Sequence, residues 1–578
     1  MVRKKFRLWL AETHGSQFEL MRHFLSQQLV NELLSSEQVK RLVITLLCVL
    51  GCIGPLIVRL YVPKYAYLQD RSNGDLYVAA VHADRLFFIS LSMIAAGMAS
   101  VAQWQGLFPN RQDYLALKPL PIRLYQVFVA RFLASFIIVA VVLLDLNFAA
   151  SILFPWLTSG RWQFPPFGVH YVMAHAAATF SAGLFVYFAT GALQGVLMNV
   201  LSARTFDRVS VLIQAVLATA LLVAIPYALD MPNWHNTLAA RPSWMSSFPP
   251  VWFLGLYKTL LGTHDAYFRQ LCETALMGLG AVFLLFVATN FVSYRRHASR
   301  ALEQGQTRRA GRWVRDRAAK LPEVFITSSR ERATFVFALQ TLRGSHRHKL
   351  VAACGVAVAV VLTLQTAGSS ILAHLGTGQY WQLWQLESVL AMPLVMSAIL
   401  ISTLCYVFQL PAELKANWIF RMAESSGRAE LLNGVERLLI CCGLLPVLLF
   451  TAPLEILGFG WVLAIAHLTL VAVLMLLLIE FRLNGWHRIP FACSYVPGRR
   501  NFWQTAGAYS FLFGAVIPTM TYFEMRFLQP FVLFACGIAL GFVYATVRSA
   551  RQIQWRLVPL LFDESDEPLI RAVRLNQD

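Results

Sequence analysis

Charge is scarce in this chain. Asp, Glu, Lys and Arg make up 14% of its 578 residues, where a soluble globular chain carries roughly 25%. So low a share, beside 57% hydrophobic residues, excludes an ordinary soluble domain. Phosphate-binding signatures are missing too. The dipeptide Gly-Lys never occurs, so no Walker A loop is encoded. There is no His-Glu-x-x-His pair and no Gly-x-Ser-x-Gly nucleophile elbow. The nine cysteines, Cys48, Cys52, Cys272, Cys354, Cys405, Cys441, Cys442, Cys493 and Cys536, show neither paired metal spacing nor a secreted disulfide framework. They read as free packing residues.

What is present is long apolar runs. Phe132–Leu144 and Val471–Ile479 sit within longer, mainly apolar stretches, and about 18 such residues cross a bilayer core as a helix. A barrel would show short alternating segments instead. The fold class expected is therefore an all-α polytopic membrane protein with about twelve transmembrane helices. Spans are expected near Val43–Val62, Leu86–Leu107, Gln126–Phe154, Val169–Leu201, Val209–Leu229 and Glu273–Tyr294, then near Leu350–Leu372, Glu387–Gln409, Leu438–Leu457, Trp461–Phe481, Ala506–Tyr522 and Gln529–Val547. The expected organisation is an interfacial segment 1–42, a six-helix half 43–294, a basic linker 295–349 with an amphipathic helix, a second six-helix half 350–547 and a tail 548–578.

The formal net charge of +19 is read as membrane topology, not nucleic-acid binding. The densest basic block, Arg295 to Lys349, lies between two spans, where the positive-inside rule puts it. An even span count then places both termini in the cytoplasm, flanked by Arg3, Lys4, Lys5, Arg548 and Arg551. The long loop Asp230–Gln270, with Trp234, Trp244, Phe248 and Trp252, falls outside and suits short helices at the outer interface. No cleavable leader is expected, because an amphipathic stretch follows the basic N-terminus. His346 and His348 read as part of a solvated basic loop.

The two halves resemble each other. Each opens with an amphipathic helix, striped by Phe18, Met21, Leu25 and Leu29 in the first and by Phe335, Ala338, Leu339 and Leu342 in the second. In each, a hairpin of two spans ends at a proline, Pro109 or Pro411, that turns the chain into a loop mixing charged and aromatic residues. This pattern points to duplication of one six-helix bundle. Inside the spans, Asp145 is the clearest ionisable residue, with Asn147 close by and His175 on the next span. A carboxylate in hydrocarbon faces a wet or bundle-interior surface. The three residues are candidates for a substrate path or for a hydrogen-bonded tie between helices. Glu455 reads as an interfacial residue.

Four segments carry a family resemblance: Arg7-Leu-Trp-Leu-Ala-Glu-Thr-His-Gly15, Leu107-Phe-Pro-Asn-Arg-Gln-Asp-Tyr-Leu115, Pro119-Leu-Pro121 and Leu410-Pro-Ala-Glu-Leu-Lys-Ala-Asn-Trp-Ile-Phe-Arg421. With the layout of the whole chain, they resemble the permease subunit of an ABC exporter of the type V class, in its large double-length bacterial form. The resemblance implies an interfacial helix before the first span of each half, a coupling helix between its second and third spans, and short outer helices between its fifth and sixth. The second half departs from this, since its outer segment around Phe523–Leu528 is very short. The resemblance further implies a separate ATPase subunit, in two copies, and no cofactor, metal or catalytic residue in this chain. The ATPase contact would fall on Pro109, Arg111, Asp113, Tyr114, Pro411, Glu413, Lys415, Trp418, Phe420 and Arg421. The location implied is the bacterial inner membrane. Two alternatives remain: a twelve-helix secondary transporter, disfavoured by few buried acids, and a membrane-embedded transferase, for which no acid–base cluster is evident.

Overall fold

The computed structural model describes residues 17–28, 36–71, 74–107, 124–158, 168–303, 326, 328–377, 387–412, 417–424, 428–492 and 502–561. Among them there is helix and no strand. Eleven of the described helices are long and apolar enough to cross a membrane. The chain divides into two compact units, Met1–Arg308 and Arg309–Asp578.

The first unit contains α1 (Ser36–Arg71), α2 (Gly74–Ala102), α3 (Leu124–Leu157), α4 (Val169–Val200), α5 (Ala203–Asp230), α6 (His235–Ala240), α7 (Pro249–Leu260) and α8 (Ala266–Glu303). Helix α2 is central and packs against α3, α4, α5 and α7. It begins at Gly74, twelve residues before the span expected at Leu86, and so carries Asp84 and Arg85 inside the helix. Both are buried.

The segment between α5 and α8 is a chain of short helices, with single 3-10 turns at Met231–Asn233 and Ser243–Ser247 around α6. Helix α7 follows them and is inserted among α2, α4 and α8. Pro249 and Pro250 occupy its first turn, where a missing N–H costs nothing. Gly255 lets it seat. A Cβ there would stand 2.4 Å from Leu271 Cβ and 2.8 Å from the Phe268 carbonyl oxygen on α8. Backbone cannot yield as a flexible side chain does, so Gly255→Ala is expected to destabilise the unit by about 1–3 kcal/mol. Denaturant unfolding of the protein in mixed micelles measures this; a loss below about 0.5 kcal/mol would show that α7 is not wedged.

The second unit contains α9 (Ser329–Gly344), α10 (His346–Thr377), α11 (Glu387–Val407), α12 (Asn417–Glu424), α13 (Arg428–Leu439), α14 (Leu445–Phe459), α15 (Trp461–Leu483), α16 (Phe502–Phe511), α17 (Ile517–Arg526) and α18 (Pro530–Leu557). Two five-residue π-helical turns join elements end to end: Ile440–Leu444 between α13 and α14, and Leu512–Val516 between α16 and α17. The α16–α17 helix covers the span expected at Ala506–Tyr522, but it is not among the eleven apolar spans. Thr519, Thr521, Glu524 and Arg526 dilute its second half.

Between α14 and α15 a single residue reverses the chain. Gly460 sits at φ +77°, a conformation that L side chains resist. Its N–H donates to the Ile456 carbonyl, closing α14, and its own carbonyl accepts from Ala464 in the first turn of α15. The final helix runs to Leu557, beyond the expected span end at Val547, and keeps Arg551 and Trp555 buried. His348 is likewise not in a solvated loop. It lies in the first turn of α10, is 3% exposed and contacts the Leu410 carbonyl oxygen through Nε2 at 3.1 Å.

Candidate functional site

In each unit the connection leaving the second span is anchored by neighbouring elements. In the first, Trp104–Leu107 forms a 3-10 turn at the end of α2. The Gly106 carbonyl there accepts from Gln28 Nε2 at 3.1 Å and from Arg131 at 3.0 Å. Gln28 is the last described residue of the amphipathic helix at 17–28, where Leu20 and Phe24 are buried. The Arg131 guanidinium covers the Phe24 ring at 4.4 Å. Trp104 donates to Ser210 Oγ, and its carbonyl accepts from Gln194. Pro109, Arg111, Asp113 and Tyr114 lie outside the described residues.

The second unit builds an equivalent anchor differently. Residues 408–412 pair with the segment after α15: Phe491 N–H donates to the Phe408 carbonyl, and Ala412 N–H to the Phe491 carbonyl. Phe491 takes φ +64° to do so, a conformation unusual outside glycine. Its ring is held between those of His348 and Phe408. Pro411, half-buried, stands at this clasp, and Glu413 and Lys415 lie outside the described residues.

Helix α12 follows, and its two faces are unlike. Phe420 is 5% exposed and meets the Phe337 ring of α9 edge-on at 5.2 Å. Trp418, Ile419, Arg421 and Met422 are exposed, Trp418 at 60%. In both units, then, the helix before the first span touches the connection between the second and third.

The three polar residues expected within spans do not gather. Asn147 accepts from Ser92 Oγ at 2.8 Å and donates to the Leu143 carbonyl, tying α3 to α2. Asp145, two residues away, points roughly 200° around the helix. It leans on Gly51 of α1, where a Cβ would stand 3.0 Å from its Oδ1. His175 is fully buried among the rings of Phe88, Phe154 and Tyr257, and neither ring nitrogen has a hydrogen-bond partner among the described residues. It does not pair with Asp145.

The structure instead reveals buried charges that the sequence did not single out. Asp84 on α2 accepts from Lys64 Nζ at 2.7 and 2.9 Å and from Tyr65 OH at 2.5 Å. Beside it, the Arg85 guanidinium lies 4.4 Å from the Tyr257 ring centre. Lys258 on α7 shares this neighbourhood, and burial pushes its ammonium down to about 8 from the ordinary 10.5. Positive charge on Arg85 and Arg241 acts the same way, while Asp265 opposes it. The unfolded chain holds the lysine proton more tightly. Between about pH 8 and 10.5 unfolding therefore takes up a proton at this lysine, and the lysine's contribution to stability rises with pH. Lys258→Met is expected to remove this rise. Thermal unfolding at pH steps across that window reads it, and parallel curves for both proteins would refute it.

In the second unit, Arg551 on α18 donates to Glu480 on α15 through Nε and, at 2.8 Å, through a second nitrogen, and to Glu436 on α13 at 2.6 Å. Arg548 adds a 3.0 Å pair with Glu436. At the other end of α15, His467 lies between Glu455 and Glu524. Glu455, expected at an interface, is 4% exposed. A cavity of about 330 Å³ bounded by α11, α15 and the α16–α17 helix is lined mostly by apolar side chains, with Ser402 and Arg482 among them. Compared with protein-family models, curated proteins and solved structures, the chain matches none.

Proposed function

We propose that this polytopic membrane protein is the permease subunit of an ATP-driven exporter. The observation that carries this reading is the anchored connection after the second span of each unit, with α12 presenting Trp418, Ile419 and Met422 outward from a buried Phe420. An ATPase subunit would dock there, since aromatic anchors dominate such interfaces. Its movement would pass through Phe420 and Phe337 to α9, and through the Phe408–Phe491 clasp to α11 and α15. The chain encodes no Walker A loop, so ATP would be bound by that partner, taken as two copies. The basic segment near Arg295–Lys349 and both termini would face the cytoplasm of a bacterial cell.

The experiment is affinity purification of the full chain from native membranes, followed by ATP binding to the isolated permease in nanodiscs. Co-purification of an ATPase subunit, with no ATP bound by the permease alone, is the expected result. Stoichiometric ATP binding by the isolated chain, or recovery of the chain with no ATPase at all, would overturn the reading.

A second reading, ion-coupled transport, is favoured by one specific observation. Asp84, Glu436, Glu455, Glu480 and Glu524 are all buried, so the shortage of buried acids that counted against it does not hold.

A further inference from the structure

The trio at the α14–α15 turn is an unusual thing to bury. His467 Nδ1 is 2.9 Å from Glu455 Oε2, and its Nε2 is 3.4 Å from Glu524 Oε2. The three side chains are 5% exposed or less. Among the described residues, Glu455 Oε1 and both Glu524 oxygens have no hydrogen-bond partner. Among the described residues, no Lys or Arg pairs with either carboxylate. Thr451 and Thr521 are buried on α14 and α17, but each hydroxyl donates to its own helix's backbone. Arg526, at the end of α17, is exposed, as is Tyr522. The described side chains of α11 include no Asp, Glu, Lys, Arg or His, and neither does α18 before Arg548. On α18, Cys536 packs against the apolar cluster of Ala466 and Leu470.

Proton counting shows what this arrangement demands. Without protons the trio carries two negative charges, with one proton a single negative charge, and with two protons none. Uncompensated charge in a low-dielectric interior is costly, and a second proton placed on a carboxylate removes it. The same proton supplies a donor where oxygens now lack one. The trio is not arranged as metal ligands, because the imidazole stands between the two carboxylates.

A second, independent feature sits on the same helices. Glu455 and Glu524 lie on the two helices that contain the π-helical turns found among the described residues, Ile440–Leu444 and Leu512–Val516. Each turn is followed by a proline, Pro446 or Pro518, in the first positions of the next helix. Such turns weaken the helical ladder and recur at functional sites. His467 is on the unbroken helix α15 between them, six residues from its start and so about 9 Å deep.

We propose that Glu455, His467 and Glu524 form a proton-binding site that takes up and releases one proton as the helices bearing the carboxylates shift about their π-helical turns. Uptake forms one O–H bond on a carboxylate, with the proton drawn from water at the near helix ends. Release returns it and leaves one uncompensated negative charge, which is stabilised when the site opens to water. The site requires neither reading of the energy source.

Infrared difference spectroscopy of the full chain in nanodiscs, taken without any ATPase between about pH 5 and 9, tests this directly. The wild type is expected to lose one protonated-carboxyl stretch as pH rises. Glu524→Gln and Glu455→Gln should each remove or shift that band, whereas Glu273→Gln, outside the cluster, should leave it in place. Absence of a titrating carboxyl band in the folded wild type would overturn the proposal without recourse to any variant. A band that persists unshifted in both variants would overturn it too, since the proton would then belong to Asp84, Asp145 or Glu480.

Discussion

Replacing Arg551 with methionine is expected to destabilise the second unit by about 3–5 kcal/mol, the range for removing one member of a buried ion pair. Arg551 is 4% exposed and holds Glu436 and Glu480, each 1% exposed. Methionine fills much of the volume but leaves both carboxylates in place. Glu436 keeps Arg548 at 3.0 Å and a long contact from Tyr544. Among the described residues Glu480 has no other ion-pair partner, so most of the cost falls there. The ring of Trp555, 3.9 Å from the guanidinium carbon, loses its cation as well. Adding Glu480→Gln to Arg551→Met should recover a good part of the loss, because it removes the stranded charge. The exposed pair Arg241–Asp265 is the contrast: Arg241→Met should cost about 1 kcal/mol or less. Denaturant unfolding in mixed micelles reads all three. A loss below about 1 kcal/mol for Arg551→Met would mean that water or rearrangement already compensates the cluster.

Those same residues mark where sequence reading stops. The apolar runs were legible because hydrophobicity is local. Among the described residues eleven helices cross the threshold for a membrane span, and five of them, Tyr125–Leu157, Val169–Val200, Val209–Asn233, Leu390–Val407 and Trp461–Leu483, begin and end within four residues of the expected spans. What could not be read is pairing at a distance. Glu436 and Arg551 are 115 positions apart, and Glu480 and Arg551 are 71. Alone, each looks like a charge at a span boundary. A second span beginning at Leu86 leaves Asp84 and Arg85 outside, yet Lys64 and Tyr65 make Asp84 tolerable inside α2. Two adjacent opposite charges within a stretch otherwise as apolar as Leu76–Ala102 were the available signal. The lost tie between Asp145 and His175 fails for a related reason. Proximity in hydropathy does not fix which face of a helix a residue occupies, and Asn147, not Asp145, faces α2.

The amphipathic helix α12 was legible as a loop with charged and aromatic residues, and the structure separates its two faces. That separation makes opposite outcomes for near neighbours the sharpest test of the docking surface. Trp418→Ala is expected to weaken the ATPase complex by about 2 kcal/mol or more, a hot-spot effect, which is about 30-fold in affinity. Trp418 is 60% exposed, so the same change should leave permease stability within about 0.5 kcal/mol. Phe420→Ala should do the reverse first. Phe420 is 5% exposed against Phe337, and truncating a buried phenylalanine costs about 3–5 kcal/mol. The competing account puts α12 flat on the bilayer, with Trp418, Ile419 and Met422 at headgroup depth. Under that account Trp418→Ala weakens lipid contact and leaves ATPase affinity unchanged. Arg421→Glu separates the two further. At a complementary protein contact a reversed charge costs several kcal/mol, whereas on a neutral lipid surface it has little to repel. Affinity is to be measured on nanodiscs of zwitterionic lipid with the co-purified ATPase titrated in, and stability by thermal unfolding of each permease alone. Unchanged ATPase affinity in both Trp418→Ala and Arg421→Glu would remove α12 from the coupling path, and with it the observation on which the exporter reading rests.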